Sequence, residues 1–322
     1  MNSNNDIKCP ICGNNPYYKF TKTNLLGSFK FYECKNCGLL FVNPTPTKEM
    51  LDFYYSKIFT LPNNQKLKNI NKFSGILKML NTDITNKKVL DIGSGKGDII
   101  KCFYNSGVKE IVGVDIDKDL IKLKDSILDE KIDVIIGDFL NVENNLKNEY
   151  FNIITMFDVI EHFTNPKTYL EKALSKLKKG GKIIITTPNM GSLNYKICGK
   201  YWDWVSPPAH LHYFSPKSLT LLLNEFGIYN IQTYSFYGDW EDSLILSTLK
   251  LPCAILKYHI KCLALPLVRT RMLNNIRNQK NNKNYGDKSI NLPKNLDFLK
   301  CFDKYIYNSL SYPHLMVVGE KQ

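Results

Sequence analysis

An α/β fold, a doubly wound seven-stranded sheet with mostly parallel strands, is predicted by three features of this 322-residue chain. Strand-like and helix-like apolar patterns alternate from Lys88 to Tyr237, the signature of a parallel sheet covered by helices. One strand pattern, Val89–Ile92, runs straight into glycines at every second position: Gly93, Gly95 and Gly97. Aspartates recur where successive strand patterns end, at Asp91, Asp115, Asp138 and Asp158. Ligands of open α/β sheets bind at those carboxyl ends.

The chain opens with two Cys-x-x-Cys knuckles, Cys9–Cys12 and Cys34–Cys37, each followed by a glycine that allows a tight turn. Four thiolates on two such turns suit tetrahedral Zn²⁺ with no coordination position left for chemistry. Residues 1–45 are therefore expected to form a zinc-ribbon-like module, with strand patterns at Tyr17–Thr21, Ser28–Glu33 and Leu39–Val42. Residues 46–84 read as a helical linker or cap, with a short helix over Thr47–Tyr55 and an amphipathic one over Phe73–Leu80.

The core, 85–240, starts with strand Val89–Ile92, the glycine turn and a helix over Gly97–Ser106. Strand Glu110–Val114, helix Asp119–Leu128, strand Val134–Ile136 and strand Phe151–Met156 follow. Next come helix Pro166–Lys178, which Gly180-Gly181 is expected to close, and strand Lys182–Thr186. Ser215-Pro216 supplies an N-cap and a proline at the first helical position, and Gly227 ends that helix. Ile228–Tyr237 is the sixth strand and Leu315–Val318 the last, within a closing segment 314–322. Between them, 241–313 reads as a helical insertion with an Asn/Lys-rich loop over Asn274–Asn284.

Composition narrows the function classes. The net charge of +13 is uneven, because residues 1–88 carry 13 Lys against 5 acidic residues and 241–322 carry 13 Lys and Arg against 6, while 89–240 are nearly neutral. Basic flanks can favour an anionic partner. The knuckles, however, lack the dense Arg and interleaved aromatics of a nucleic-acid surface, so nucleic acid is not the expected partner. No apolar run approaches the roughly 20 residues that span a bilayer, and no signal peptide is visible, so the expected location is cytoplasmic. The basic, apolar segment 244–277 allows a peripheral contact with the inner face of a membrane.

Taken together, Asp91-x-Gly93-x-Gly95-x-Gly97, Asp115 and Asp138-Phe139 resemble the class I S-adenosylmethionine-dependent methyltransferases. Phe157-Asp158-Val159-Ile160-Glu161-His162-Phe163, Pro188-Asn189 and Pro208–Ser215 extend the likeness. With the cysteine knuckles, Asn43-Pro44 and Tyr54-Tyr55, the chain looks like a branch with a zinc-binding head that modifies sugars, lipids or quinone-like small molecules. The resemblance implies a Rossmann-like methyltransferase with S-adenosylmethionine as cofactor and structural Zn²⁺ on Cys9, Cys12, Cys34 and Cys37. It implies that Gly93, Gly95 and Gly97 let the protein backbone approach the methionine and ribose portions of the cofactor. It also implies that Asp115 accepts both ribose hydroxyls, with Ile116 beside it among the cofactor-binding residues, and that Asp138 receives the adenine amino group while Phe139 covers the ring and offers its backbone N–H. Asp91, Phe157 and Asp158 would face the methionine end. The acceptor would be a small molecule, a glycan or a lipid-linked intermediate, methylated on oxygen or carbon. His162, His210 and His212, plus Glu161 and Tyr213, are the candidates for moving its proton, with His210, His162 and Tyr213 foremost, although the residues before His210 are Pro208 and Ala209, where sugar C-methyltransferases carry an acid and a histidine. Tyr195, Tyr201, Trp202 and Trp204 are candidates for the acceptor pocket wall. A nicotinamide-dependent oxidoreductase fits less well, because Ser215-Pro216 breaks the helix that Tyr213 and Lys217 would have to share.

Overall fold

The structure, a computed structural model, describes residues 7–58, 83–126, 129–237, 255 and 313–322. The expected helix Phe73–Leu80, the insertion at 241–313 apart from two positions, and the segment 244–277 apart from residue 255 lie outside the described residues.

In the N-terminal segment, β1 (Tyr17–Asn24) and β2 (Gly27–Glu33) form a hairpin, and β3 (Leu40–Val42) pairs with β2. A short helix α1 (Lys48–Phe53) follows, started by the Thr47 side chain accepting from the Met50 amide, and it runs into a π turn at Tyr54–Ile58. The core strands are β4 (Lys88–Ile92), β5 (Glu110–Asp115), β6 (Ile132–Ile136), β7 (Phe151–Phe157) and β8 (Leu177–Pro188). Further on, β9 (His212–Tyr213), β10 (Ile228–Tyr237) and β11 (Pro313–Lys321) complete the set. The intervening helices are α2 (Asp98–Asn105), α3 (Ile121–Ser126), α4 (Phe139–Val142), α5 (Pro166–Lys176), α6 (Leu193–Cys198) and α7 (Pro216–Glu225).

The main sheet has the order β10-β11-β8-β7-β4-β5-β6. Its strands are parallel except β11, which runs antiparallel to both β8 and β10. The chain winds outward from β4 through β5 and β6, then returns to add β7 and β8 on the other side. The order therefore reverses at β4, and the carboxyl end of β4 is where such a sheet opens a crevice.

Strict alternation in the strands fills both faces. Leu90, Ile92, Ile154, Met156, Ile183, Ile185, Leu315 and Val317 pack on one side with Tyr169, Leu170 and Leu174 of α5 and Leu219, Leu222 and Leu223 of α7. Val89, Ile153, Ile184, Met316 and Val318 pack on the other with Ile99, Ile100 and Phe103 of α2 and Leu123 of α3. The doubly wound arrangement is thus present in full.

Some boundaries differ from the sequence reading. The helix expected to run to Lys178 ends at Lys176, and Gly180-Gly181 lie inside β8 rather than at a helix end. There Phe151 pairs with Leu177 but Ile153 with Lys182, so the intervening residues bulge out of the ladder, and Gly180 takes a φ of +68° in that bulge. The helix expected from Asp119 begins as a 3-10 turn, Lys118–Leu120, because Asp117 caps the Asp119 amide.

The cysteine head is joined to the core by backbone pairing. β9 adds to its sheet, with Leu40 opposite Tyr213 and Phe41 opposite His212. Lys22 Nζ donates to the Val205 carbonyl at 2.5 Å, and Phe31 packs against Tyr213 with ring centroids 5.6 Å apart. Among the described residues no helix is long and apolar enough to cross a membrane.

Candidate active site

The glycine turn follows from strand β4 ending at the switch point. Gly93, Gly95 and Gly97 all have positive φ, at 79°, 53° and 80°. A β-carbon on Gly93 would lie 2.2 Å from Val159, and one on Gly97 would lie 2.2 Å from Leu123, so these two are closed by packing. Nothing lies within 4 Å of a β-carbon built on Gly95. That difference makes Gly95 the point where a ligand can approach the backbone. The turn is held by the Gly93 amide donating to the Val114 carbonyl at 2.8 Å and by the Gly95 amide donating to Asp115 Oδ2 at 2.6 Å.

Four strand-end aspartates surround this turn. Asp91, at the tip of β4, is buried, and its Oδ1 accepts from Thr155 Oγ1 at 2.5 Å. Asp91 Oδ2 is buried without a hydrogen-bond partner, and burial pushes the carboxyl up to about 7. A buried carboxylate oxygen with an unmet lone pair is suited to a cationic ligand group. Asp115, at the tip of β5, accepts from the Gly95 and Asp117 amides, and burial raises its pKa. Ile116 beside it is 59% exposed, an apolar side chain free to lie against a flat ring. Asp138 caps α4 through the Leu140 amide and also accepts from the Tyr169 hydroxyl at 2.5 Å. The Phe139 ring is buried, so its face is turned to Tyr169 and the core rather than to the surface. Asp158 follows β7 in the left-handed region, with φ +54°, and Thr186 Oγ1 donates to its Oδ1 at 2.9 Å. A non-glycine residue held there is uncommon and is typical of functional turns.

Beyond Asp158 lies a cluster rich in imidazoles. His162 Nδ1 is 2.8 Å from the Ala209 carbonyl, and His210 Nδ1 is 2.8 Å from the Trp204 carbonyl. A carbonyl only accepts, so both rings carry their proton on Nδ1 and present an unprotonated Nε2. Burial, followed by the neighbouring His162, brings His210 down to about 3, and burial also lowers His162. Both are neutral bases of low strength. Their rings meet edge to face at 4.8 Å, the indole of Trp204 stacks on His210 at 5.4 Å, and Tyr55 Oη lies 3.2 Å from His162 Nδ1. The buried Glu161 accepts from Thr187 Oγ1 at 3.0 Å, and its carboxylate, His162 and His210 offer atoms within 4.8 Å of one another, close enough to share a proton or a cation. Tyr213 does not join them through its hydroxyl, which donates to the His210 carbonyl at 3.0 Å.

Three residues of this region escaped the sequence reading. Thr155 sits mid-pattern in β7, and Tyr169 on α5 reads as ordinary core. His314 begins a strand far along the chain, yet its Nδ1 lies 3.2 Å from Asp158 Oδ1. Proximity to Pro313 at the start of an apolar strand was the sole local hint. Conversely, Trp202 and Tyr195 pack with Phe29 and Phe31 of the cysteine head instead of walling this cluster.

In the head, Cys9 Sγ is 3.5 Å from Cys37 Sγ and Cys12 Sγ is 3.4 Å from Cys34 Sγ, with all four sulfurs within 4.8 Å of one another. Tetrahedral Zn–S bonds of about 2.3 Å place sulfurs about 3.8 Å apart, so the four thiols fit that ion. The hydrogen bond from Cys37 brings Cys9 down to about 5, favouring the thiolate a metal needs.

The reversal point, the glycine turn and the strand-end aspartates are the parts of an S-adenosylmethionine-dependent methyltransferase, and the family match agrees. Residues 65–233 match the family described as "Methyltransferase domain". The chain belongs to that family and is an enzyme of the S-adenosylmethionine-dependent methyltransferase class. It is 28% identical over 151 residues to the mitochondrial ubiquinone biosynthesis O-methyltransferase of Dictyostelium discoideum, covering 41% of this chain and 46% of that one. The human protein of the same description is 25% identical over 180 residues, covering 50% and 48%. The chain thus spans about half the length of these two curated relatives. An uncharacterized protein of Methanocaldococcus jannaschii is 30% identical over 160 residues, covering 48% of this chain and 71% of its own length. Among solved structures, an S-adenosylmethionine-dependent methyltransferase from Archaeoglobus fulgidus aligns with a TM-score of 0.48 at 18% identity, covering 85% of this chain and all of the other.

Proposed function

We propose that this chain transfers the methyl group of S-adenosylmethionine to a hydroxyl of a small-molecule acceptor. The observation that carries the reading is the shared carboxyl edge of the sheet: a buried carboxylate oxygen without a partner at Asp91 beside the glycine turn, and a cluster of neutral imidazoles beyond β7, where Val159 packs on Gly93. Asp91 and the open backbone at Gly95 would take the ammonium end of the donor, Asp115 the ribose hydroxyls, and Asp138 the adenine amino group. Gly93 and Gly97 hold the turn shut around that path. Ile116 is better exposed than Phe139 to cover the base, leaving Phe139 to contribute its backbone. Phe157 and Asp158 lie at the junction with the acceptor side.

The donor is already activated, since its carbon is bound to a sulfonium, so the protein's part is alignment, exclusion of water and removal of one proton. The acceptor class in this reading is a sugar, glycan or lipid-linked intermediate. The likeness to ubiquinone biosynthesis O-methyltransferases favours oxygen as the methylated atom and adds a quinone-type ring as the second acceptor to test. His162, His210 and Tyr213 shape the acceptor side.

The four cysteines would hold structural Zn²⁺, whose complete thiolate set leaves it no part in methyl transfer. Contact of 244–277 with an anionic membrane surface rests on its basic and apolar residues, and retention on anionic liposomes tests it. The deciding experiment for the acceptor is an untargeted comparison of envelope glycans, quinones and small metabolites from cells with and without the gene. A species about 14 Da lighter that accumulates without the gene identifies the acceptor. A methylated change confined to RNA or protein would replace this reading.

A further inference from the structure

Two imidazoles meet the indole of Trp204, His210 stacked on it at 5.4 Å and His314 edge-on to it at 5.4 Å, and a third, His162, lies against His210 at 4.8 Å. They differ in what holds Nδ1. His162 and His210 each donate to a neutral backbone carbonyl. His314 faces a carboxylate, with Nδ1 3.2 Å from Asp158 Oδ1, and its side chain is 6% exposed. A carboxylate on Nδ1 fixes the tautomer, leaves Nε2 as the basic atom and stabilises the imidazolium that forms there, whereas a carbonyl gives orientation with far less stabilisation. Asp158 is itself held for this task by its left-handed turn and by the hydroxyl of Thr186.

We propose that His314, backed by Asp158, is the general base that takes the proton from the acceptor hydroxyl. This rests on the reading that the acceptor is methylated on oxygen. The acceptor O–H bond breaks and its proton goes to His314 Nε2. The oxygen lone pair forms the new O–CH₃ bond as the C–S bond breaks, and that electron pair stays on sulfur, which becomes a neutral thioether. The imidazolium then returns its proton to solvent. His162 and His210 orient the acceptor through their unprotonated Nε2 atoms. The depressed basicity of His210 agrees with this division, since a ring held at about 3 is a weak proton acceptor. Among the described residues, the titratable groups facing this corner include Asp158 on the turn after β7, Glu161 and His162 just beyond it, Tyr55 against His162, and His210 and Tyr213 at β9. The Glu161 carboxylate stands 3.9 Å from His162 Nε2.

The test begins with imidazole ¹⁵N NMR of the full zinc-loaded chain with S-adenosylhomocysteine, following all five histidines from pH 4 to 9. His314 is expected to titrate highest of the histidines in the site, at least about one unit above His210, with the Nδ1–H tautomer; Asp158→Asn should lower it by about one unit or more. Titration of His314 at or below His210, or indifference to Asp158→Asn, overturns the proposal. The second arm follows label from methyl-tritiated S-adenosylmethionine to 3,4-dihydroxybenzoate. His314→Gln should lower kcat by about 10²–10⁴-fold and remove the acidic limb of the pH profile, with donor affinity unchanged. A variant that keeps its kcat, or transfer that depends on added Mg²⁺ and ignores His314, contradicts it. Failure of the wild-type protein to label any hydroxyl acceptor counts against the O-methylation reading instead, and the NMR arm decides the base independently.

Discussion

Phe41 and His212 stand opposite each other across β3 and β9, and through that pair the cysteine head is stitched to the histidine segment of the candidate active site. The Val42 amide also donates to the Leu211 carbonyl at 3.0 Å, and Asn24 Nδ2 to the Pro207 carbonyl at 2.5 Å. His210 therefore sits on a segment whose backbone is anchored on both sides by a module too small to fold without a cross-link. Metal binding there, as proposed for the four cysteines, would be folding free energy for the head. Cys34→Ser is expected to lose the metal, lower the melting temperature and reduce methyl transfer at least about tenfold, while donor affinity stays within about twofold. Metal analysis, thermal unfolding and donor calorimetry on the same preparation check it. Transfer that survives loss of the metal would show the head to be a separate appendage.

Gly95 and Gly97 should respond differently to the same change. Gly97→Ala places a β-carbon against Leu123 in a left-handed turn, so it should cost about 2–4 kcal/mol of stability through strain and overpacking. Gly95→Ala carries only the backbone cost of about 1–2 kcal/mol, because that side is open. Its larger effect should be a donor affinity reduced by tenfold or more, measured by calorimetry. Equal donor affinity in Gly95→Ala and wild type would move the donor away from this turn.

Asp91 predicts a pH dependence of definite sign. Burial raises its folded pKa to about 7, above the unfolded value of about 3.9. The group's stabilising contribution is thus complete below about pH 4 and is lost as pH rises through 7, a difference on the order of 4 kcal/mol for the ligand-free protein. His210 and His212 work in the opposite direction, since folded values of about 3 and 4 mean their contribution is full above about pH 6.5 and fades as pH falls. Asp91→Asn should therefore raise the melting temperature of ligand-free protein at pH 8 but hardly at pH 5. The same variant should bind the donor more weakly, because the ammonium would lose the carboxylate proposed to hold it. Thermal scans at the two pH values with and without donor read both effects, and a variant destabilised equally at both would refute the assignment.

Tyr169→Phe isolates the Asp138 corner. It removes the hydroxyl that donates to Asp138 Oδ2 but keeps the ring stacked on Phe163 at 3.7 Å. Stability should fall by about 1–2 kcal/mol and donor affinity by severalfold, since the carboxylate proposed to meet the adenine loses its side-chain anchor and keeps only the Leu140 amide. Adenosine alone should show the same loss as the full donor, which isothermal titration of both ligands would verify.

Much of this arrangement was legible because local chemistry dictates it. The alternating apolar pattern of β4, β7 and β8, the glycines after Asp91 and the aspartates at the strand tips are properties of short segments. The same holds for the Cys-x-x-Cys turns and for Ser215-Pro216 at the start of α7. What escaped depends on which distant segments meet. Asp138 and Tyr169 come from α4 and α5, on separate crossovers. His314 reaches Asp158 because β11 inserts antiparallel between β10 and β8, setting His314 opposite Pro188 at the carboxyl edge. The two residues of β9 carry no strand pattern of their own, and they pair with β3 because the head is already seated there. Trp202 looked like a pocket wall from its neighbours, but the hairpin β1–β2 covers it.

The central claim is that the carboxyl end of β4 and β5 holds a sulfonium nucleoside. Isothermal titration calorimetry of the zinc-loaded chain with S-adenosylmethionine and S-adenosylhomocysteine tests it most directly. One site per chain for each ligand, weakened at least about tenfold by Asp115→Ala, is the predicted result. Absence of binding by either ligand, or an affinity that Asp115→Ala leaves untouched, would contradict it.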